Sequence, residues 1–300
     1  MRAHPVANSA VVAVGALWGL YWIPLRRLEA LTGGGPWVSV VVLLVAAALL
    51  LPFGWRQRHR LRAANTRALA SIALGGVAFA LYSDGLLFGQ VAVVILLFYL
   101  TPVWSTLIAR VWLGWPVTWW RRAAIVAGFG GIALVLHGSH DGLPLPRTTG
   151  DWLGLASGLL WAVASTGIHV HSRTGPAETN FVFCAGGVAA SIPLALWLGT
   201  PTAAATAAAG ATGTAFGLVL LLGGVWWAGS LTFFMWATQR LEPARVGILL
   251  MSEVIMGALS AALFAGEAFG TAMAMGTVLV IVAGVLETFP MRPPAAPPGG

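Results

Sequence analysis

Marked only as apolar or polar, the chain resolves into long apolar runs separated by short polar gaps. Ten runs stand out, near Ala7–Leu25, Trp37–Gly54, Ala68–Phe88, Val91–Leu113, Arg121–Gly138, Asp151–Val170, Thr179–Leu198, Thr214–Ala237, Val246–Ala265 and Gly270–Phe289. Each approaches the roughly 20 apolar residues that a helix needs to cross a bilayer. The pattern predicts an all-α integral membrane protein of ten transmembrane helices. No gap is long enough for a large extramembrane domain, so function is expected inside the bundle. Pro24, Pro102 and Pro193 fall within runs and are expected to kink them, because proline removes a helix hydrogen bond. The Pro- and Gly-rich stretch 290–300 reads as a disordered tail.

Composition agrees: 58% of the 300 residues are hydrophobic and 8% charged, against about 25% charged in soluble domains. The net charge of +7 changes the picture only in topology. All 16 basic residues are Arg and they sit in the gaps, as topology signals do, so nucleic acid is excluded as a partner. With the N-terminus inside, thirteen arginines fall on the inner side and only Arg26, Arg27 and Arg147 outside, thirteen plus three making the 16. Both termini are therefore expected in the cytoplasm. Arg26 and Arg27 oppose this locally. The first run carries Trp18, Tyr21 and Trp22 without a small-x-small cleavage site, so it reads as a retained helix. Cys184 has no intrachain partner and reads as a small apolar filler.

The two halves repeat. LLFGQVAVVILLFYLTPV (Leu86–Val103) lies over TQRLEPARVGILLMSEVI (Thr238–Ile255) without a gap, and ALWGLYW (Ala16–Trp22) lies over LLWAVAS (Leu159–Ser165). This divides the chain into repeats 7–138 and 151–289. Each holds five runs, an odd number, so the halves insert in opposite orientations. Inverted repeats of this kind place a substrate site near the midplane between the halves.

Four stretches carry a family resemblance: ALWGLYWIPLRRL (Ala16–Leu28), LTPVWSTLIARVWLGW (Leu100–Trp115), AGFGGIALVL (Ala127–Leu136) and SEVIMGALSAALFAGE (Ser252–Glu267). In their order and duplication the chain resembles the drug/metabolite transporter superfamily with two EamA-type repeats. Within it the texture is most similar to the bacterial aromatic amino acid exporters of the YddG type. The resemblance implies a multi-pass protein of the bacterial cytoplasmic membrane that exports small metabolites by alternating access. It implies a monomer with no cofactor. The chain departs from the pattern at Trp115, where the family carries a glutamate that Glu267 retains in the second half. Val254 likewise replaces the proline of a Glu-Pro pair, leaving the acid Glu253.

Glu253 is the sharpest candidate. It lies about 10 Å into its run at 1.5 Å per residue, and an acid in hydrocarbon is a functional hypothesis by default. It could accept a substrate ammonium, carry a proton, or brace a helix contact. Its repeat partner is neutral Thr101. Around it, Trp18, Trp22, Trp161 and Trp227 lie deep in their runs and could wall a flat substrate, with Tyr82, Tyr99, Phe98, Phe233 and Phe234. Interhelix packing is the plainer reading of each. Nine tryptophans near run ends, Trp55 and Trp197 among them, read as interfacial anchors. Thr101 and Ser165 could line a cavity or bond the preceding turn. Asp84 reads as a solvated helix-end acid, and His169 and His171 as interface residues. Gly15–Gly19, Gly154–Gly158 and Gly213–Gly217 are spaced for close helix approach.

These residues set the function classes. An intramembrane metalloprotease needs His-Glu-x-x-His, which is absent. An aspartyl type needs a second acid to face Asp84, so the chain is not read as an enzyme. A phosphate-bearing cargo wants deep cations, and no Arg is mid-run. The sequence favours an exporter of aromatic amino acids or similar small amphipathic metabolites. The alternative is export of other amino acids or cationic drugs by proton antiport through Glu253. The partners expected are the bilayer and a small-molecule substrate.

Overall fold

A computed structural model describes residues 5–112, 118–139, 145–171, 175–200, 213–238, 240–241, 243–267 and 270–287. Trp115, Arg173 and the 290–300 tail lie outside the described residues, as do the side chains of His169 and His171. Every regular element among the described residues is helical. Eight helices are long and apolar enough to cross a membrane, from Pro5–Thr32 to Arg245–Phe264. Thr149–His171 continues the pattern as a helix of 23 residues, and Thr271–Leu286 as a shorter apolar one.

Helices from the two halves of the chain interleave. Thr66–Phe88 packs on Thr149–His171 and Pro176–Leu198, Trp119–Ser139 on Thr271–Glu287, and Pro5–Gly19 on Pro243–Phe264. One core therefore draws on both halves, with Tyr21, Tyr82, Phe183 and Trp227 among its largest fully buried side chains. Lipid offers no hydrophobic drive for helices to associate, so small residues that let backbones meet decide these contacts. A Cβ on Gly19 would lie 2.7 Å from Gly257 N, and one on Gly158 would lie 2.7 Å from Phe98 O. The expected close-approach pairs Gly15–Gly19 and Gly154–Gly158 thus lie at real seams. Gly213 and Gly217 do not, since among the described residues neither has a neighbour within 4 Å of its missing Cβ. Spacing by four marks one face of a helix but not what that face meets.

Two of the expected proline breaks occur. The first run pauses between Gly19 and Trp22, where N–H groups reach back three residues, Tyr21 to Trp18 O and Ile23 to Leu20 O. Pro24 cannot supply the bond Leu20 O would otherwise accept. The fourth pauses between Phe98 and Thr101, just before Pro102. Pro193, by contrast, sits inside an unbroken Pro176–Leu198 helix. A third irregularity had no sequence signal. Leu221–Ser230 is a π-helix, held from the neighbouring helix by Asn180, whose Nδ2 donates to Trp227 O at 2.8 Å and to Ala228 O at 3.1 Å.

The first run also extends past Leu25 to Thr32, ending where Gly33 takes the left-handed conformation (φ 58°) and donates to Glu29 O. Arg26, a topological misfit in the sequence, has a structural task. Its Nε donates to Leu86 O at 2.8 Å and an Nη to Gly89 O at 2.6 Å, capping the end of Thr66–Phe88. One turn of chain later, Glu267 accepts from Val91 N (2.6 Å) and Ala92 N (3.2 Å), capping the start of Val91–Phe98. An anion at a helix N-terminus also meets the positive end of its dipole. Glu267→Ala is expected to lower stability by about 1–3 kcal/mol, as two buried donors lose their acceptor. Thermal unfolding in lipid nanodiscs would show it, with Glu267→Gln falling between the two. Asp84 corrects another expectation. It is fully buried rather than solvated, because the Trp22–Thr32 helix packs over this end of Thr66–Phe88. Tyr21, Ser83 and Ser39 form a hydroxyl chain there, with contacts of 2.9 and 3.2 Å.

Candidate functional site

The break before Pro102 shapes a cavity. Where the helix pauses, Phe98, Tyr99 and Thr101 point into a space of about 170 Å³ shared with Trp18, Phe79, Trp161, Phe234 and Glu253. That is far beyond the ~10–15 Å³ that one water occupies. Proline leaves Phe98 O without a helical donor, and Thr101 fills the gap, its Oγ1 donating to Phe98 O at 2.7 Å. The same hydroxyl lies 3.1 Å from Gly158 O. Thr101 therefore holds the break in shape while lining the cavity.

Glu253 is the acid of the site and is 7% exposed. The helix carrying it begins at Pro243, so it sits about 15 Å from that end at 1.5 Å per residue, deeper than the sequence suggested. Its carboxyl group accepts from two phenols: Tyr82 OH to Oε1 at 3.0 Å and Tyr99 OH to Oε2 at 2.8 Å. Tyr99 OH also lies 3.0 Å from Leu250 O, an alternative acceptor for its single proton. Among the described residues, no Arg, Lys or His lines the cavity. The site thus pairs one carboxyl with an aromatic wall and offers no cation.

The wall is built around Phe79, which is not among the residues expected at the site. Its ring meets Trp161 at 5.1 Å, Trp18 at 5.3 Å and Phe98 at 5.5 Å between centroids, all edge-on. Edge-to-face contacts of this kind contribute about 0.5–1.5 kcal/mol each beyond burial. The available signal was its spacing of three from Tyr82, which places both rings on one helix face.

The ten residues expected at the site separate into three groups. Trp18, Tyr99, Thr101, Trp161 and Glu253 line the cavity. Tyr82 stands behind it, 1% exposed, holding Glu253. Trp22, Ser165, Trp227 and Phe233 do not line it. Trp22 donates to Ser260 Oγ (2.9 Å) on the far side of the closed Gly19–Gly257 contact. Trp227 is fully buried and donates to Tyr21 OH at 3.0 Å. Ser165 bonds back to Ala162 O. Phe233 is 44% exposed and stacks on Trp236, while its neighbour Phe234 takes the cavity position. The π-helix explains that exchange: its i→i+5 ladder rotates every later residue away from the face that 3.6-residue periodicity assigns. Trp18 itself is oriented from the π-helix, its Nε1 donating to Ser230 Oγ at 2.9 Å.

The family comparison bears on the first half of the chain. Residues 6–137 match the model of the EamA-like transporter family. No curated protein matches the chain. Among solved structures, 15 chains match. One is a crystal structure with a TM-score of 0.60 at 16% identity, covering 93% of this chain and 96% of the other. At that identity the likeness is one of fold. It shows a shared helical architecture over nearly the whole chain, and neither comparison singles out the YddG type.

Proposed function

We propose that this protein carries small amine-bearing aromatic metabolites, aromatic amino acids foremost, across the bacterial cytoplasmic membrane by alternating access at the Glu253 cavity. One observation carries the reading: a buried carboxyl held by two phenols, within an aromatic wall and with no basic side chain beside it among the described residues. Glu253 supplies the acceptor for a substrate ammonium, and Trp18, Phe79 and Trp161 the faces for its ring. Repeats 7–138 and 151–289, inserted in opposite senses with both termini in the cytoplasm, supply the two gates. The cavity extends from Glu253 toward Gly247 and Phe234. In this orientation that is the cytoplasmic side, from which an exporter loads. Beyond Glu253 the Gly19–Gly257 contact closes the other side.

Counterflow of labelled tryptophan, tyrosine and phenylalanine in proteoliposomes tests this. Trp161→Ala should raise the KM roughly ten-fold with folded protein retained, since a ring contact and its buried area are lost together. An unchanged KM would remove Trp161 from the site. The missing cation favours a second reading. An α-carboxylate finds no charged partner among the lining residues, so amines without one, such as tryptamine and tyramine, fit equally well. If these compete better than the parent amino acids, the cargo is the organic cation.

A further inference from the structure

A second concavity lies on the outside of the bundle, away from the Glu253 cavity. It is a groove of about 700 Å³ between Trp37–Arg56, the start of Pro176–Leu198 and the π-helix. We propose that this groove binds one acyl chain of an anionic phospholipid, with its phosphate held by Arg60 and Arg240.

The groove exists because the π-helix presents Gly224, Ala228 and Gly229 on this face. Among the described residues, a Cβ on Gly224 would meet only Leu49 Cδ1, at 3.6 Å, and one on Gly229 only its own helix, at Gly224 O. Gly223, on the adjoining face, is by contrast packed, 2.8 Å from Val42 O. The walls are Leu49 (46% exposed), Phe53 (50%) and Phe233 (44%), so the groove opens toward lipid. The hydroxyl on its floor is already engaged. Thr232 Oγ1 donates to Ala228 O and accepts from Asn180 Nδ2 at 2.9 Å. The lining is mainly apolar and suits a hydrocarbon chain.

The rim is cationic and lies at one end of the bundle, where Trp37–Arg56 stops and Pro176–Leu198 starts. Arg240 stacks over Trp236, a lining residue, with its guanidinium carbon 4.2 Å from the ring centroid. One Nη donates to Trp236 O at 2.8 Å. Arg60 is 75% exposed and lies 3.8 Å from Glu178, two residues beyond the lining residue Pro176. Arg56, Arg58, Arg62 and Arg67 flank it in the sequence, and no acidic residue occurs between Glu29 and Asp84. Each guanidinium carries five donors, enough to bond its protein partner and a phosphate oxygen together. An apolar slot beneath a pair of arginines at the membrane surface matches an acyl chain joined to a negatively charged headgroup, and no soluble anion matches both parts. The groove is lined by none of the substrate-cavity residues, so the inference stands apart from the transport reading.

Native mass spectrometry of the full-length protein, delipidated and then titrated with phosphatidylglycerol or phosphatidylethanolamine of identical acyl chains, tests this. Phosphatidylglycerol should be retained in preference, by about five-fold per arginine engaged. Arg60→Gln/Arg240→Gln should bring its retention down to that of phosphatidylethanolamine. Ala228→Leu, which fills the slot, should lower retention of both lipids. Glycerol phosphate, which has the anion without the chain, should not compete. Equal retention of the two lipids by the unaltered protein would overturn the proposal. So would phosphatidylglycerol retention unchanged by either variant, or full competition by glycerol phosphate.

Discussion

Glu253→Gln is expected to reduce counterflow of aromatic amines and amino acids by at least about 30-fold. That is the lower end of the cost of removing one partner from a buried, hydrogen-bonded charge pair. The substitution keeps the shape of the side chain and removes its charge. The local structure has an outlet for the change: Tyr99 OH already lies 3.0 Å from Leu250 O and can donate there instead. Tyr82 OH can still donate to the amide oxygen. Folding should therefore survive, with a stability change within about 1 kcal/mol. Flux and thermal unfolding, measured on the same preparation, separate the two roles of the acid. Lost flux with an unchanged melt places the substrate at Glu253. Flux within two-fold of the parent would remove Glu253 from the transport path. A collapsed melt would make the acid a brace for Tyr82 and Tyr99.

Gly76→Ala should be the most damaging small substitution in the bundle. The added Cβ would fall on Phe183 O, closer than any real contact, and 2.7 Å from Gly187 N. Both obstacles are backbone atoms of Pro176–Leu198, and no rotamer change moves them aside. The helices would have to separate, at a cost of about 3 kcal/mol, opening the interface that also positions Phe183 and Phe79. Gly217→Ala supplies the control, since among the described residues nothing lies within 4 Å of its missing Cβ. There alanine should be neutral or stabilising by about 0.5–1 kcal/mol, as glycine costs that much in a helix interior. Thermal unfolding of the two variants side by side tests whether backbone contact or helix propensity governs stability here. Equal melts would refute the contact argument.

Much of the architecture was legible because hydrocarbon imposes one dominant rule. Every backbone polar group must bond within its own segment, so a run of twenty apolar residues has one outcome. The runs, the breaks before Pro24 and Pro102, and the depth of Trp18, Trp161 and Glu253 follow from that rule and from the chemistry of proline. The exposed tryptophans at helix ends, Trp55 and Trp197 among them, follow from the same division between oil and water. Arg26 was legible only as a contradiction, because its carbonyl partners at Leu86 and Gly89 belong to another helix.

What the sequence alone determined was therefore local: which segments are helical and membrane-spanning, where they break, and which polar residues lie deep. Tertiary structure decided which of those residues share a space. It brought Tyr82 and Tyr99 from separate helices onto the two oxygens of Glu253 and centred the aromatic wall on Phe79. It left Gly213 and Gly217 facing no other described residue. It also inserted a π-helix that exchanged Phe233 for Phe234 at the cavity and opened the arginine-rimmed groove. The physical reason is that a helix's face follows from its own periodicity only while its ladder is regular. Once Asn180 on a neighbouring helix holds the carbonyls of Trp227 and Ala228, the direction of every later side chain depends on a partner 47 residues away in the chain.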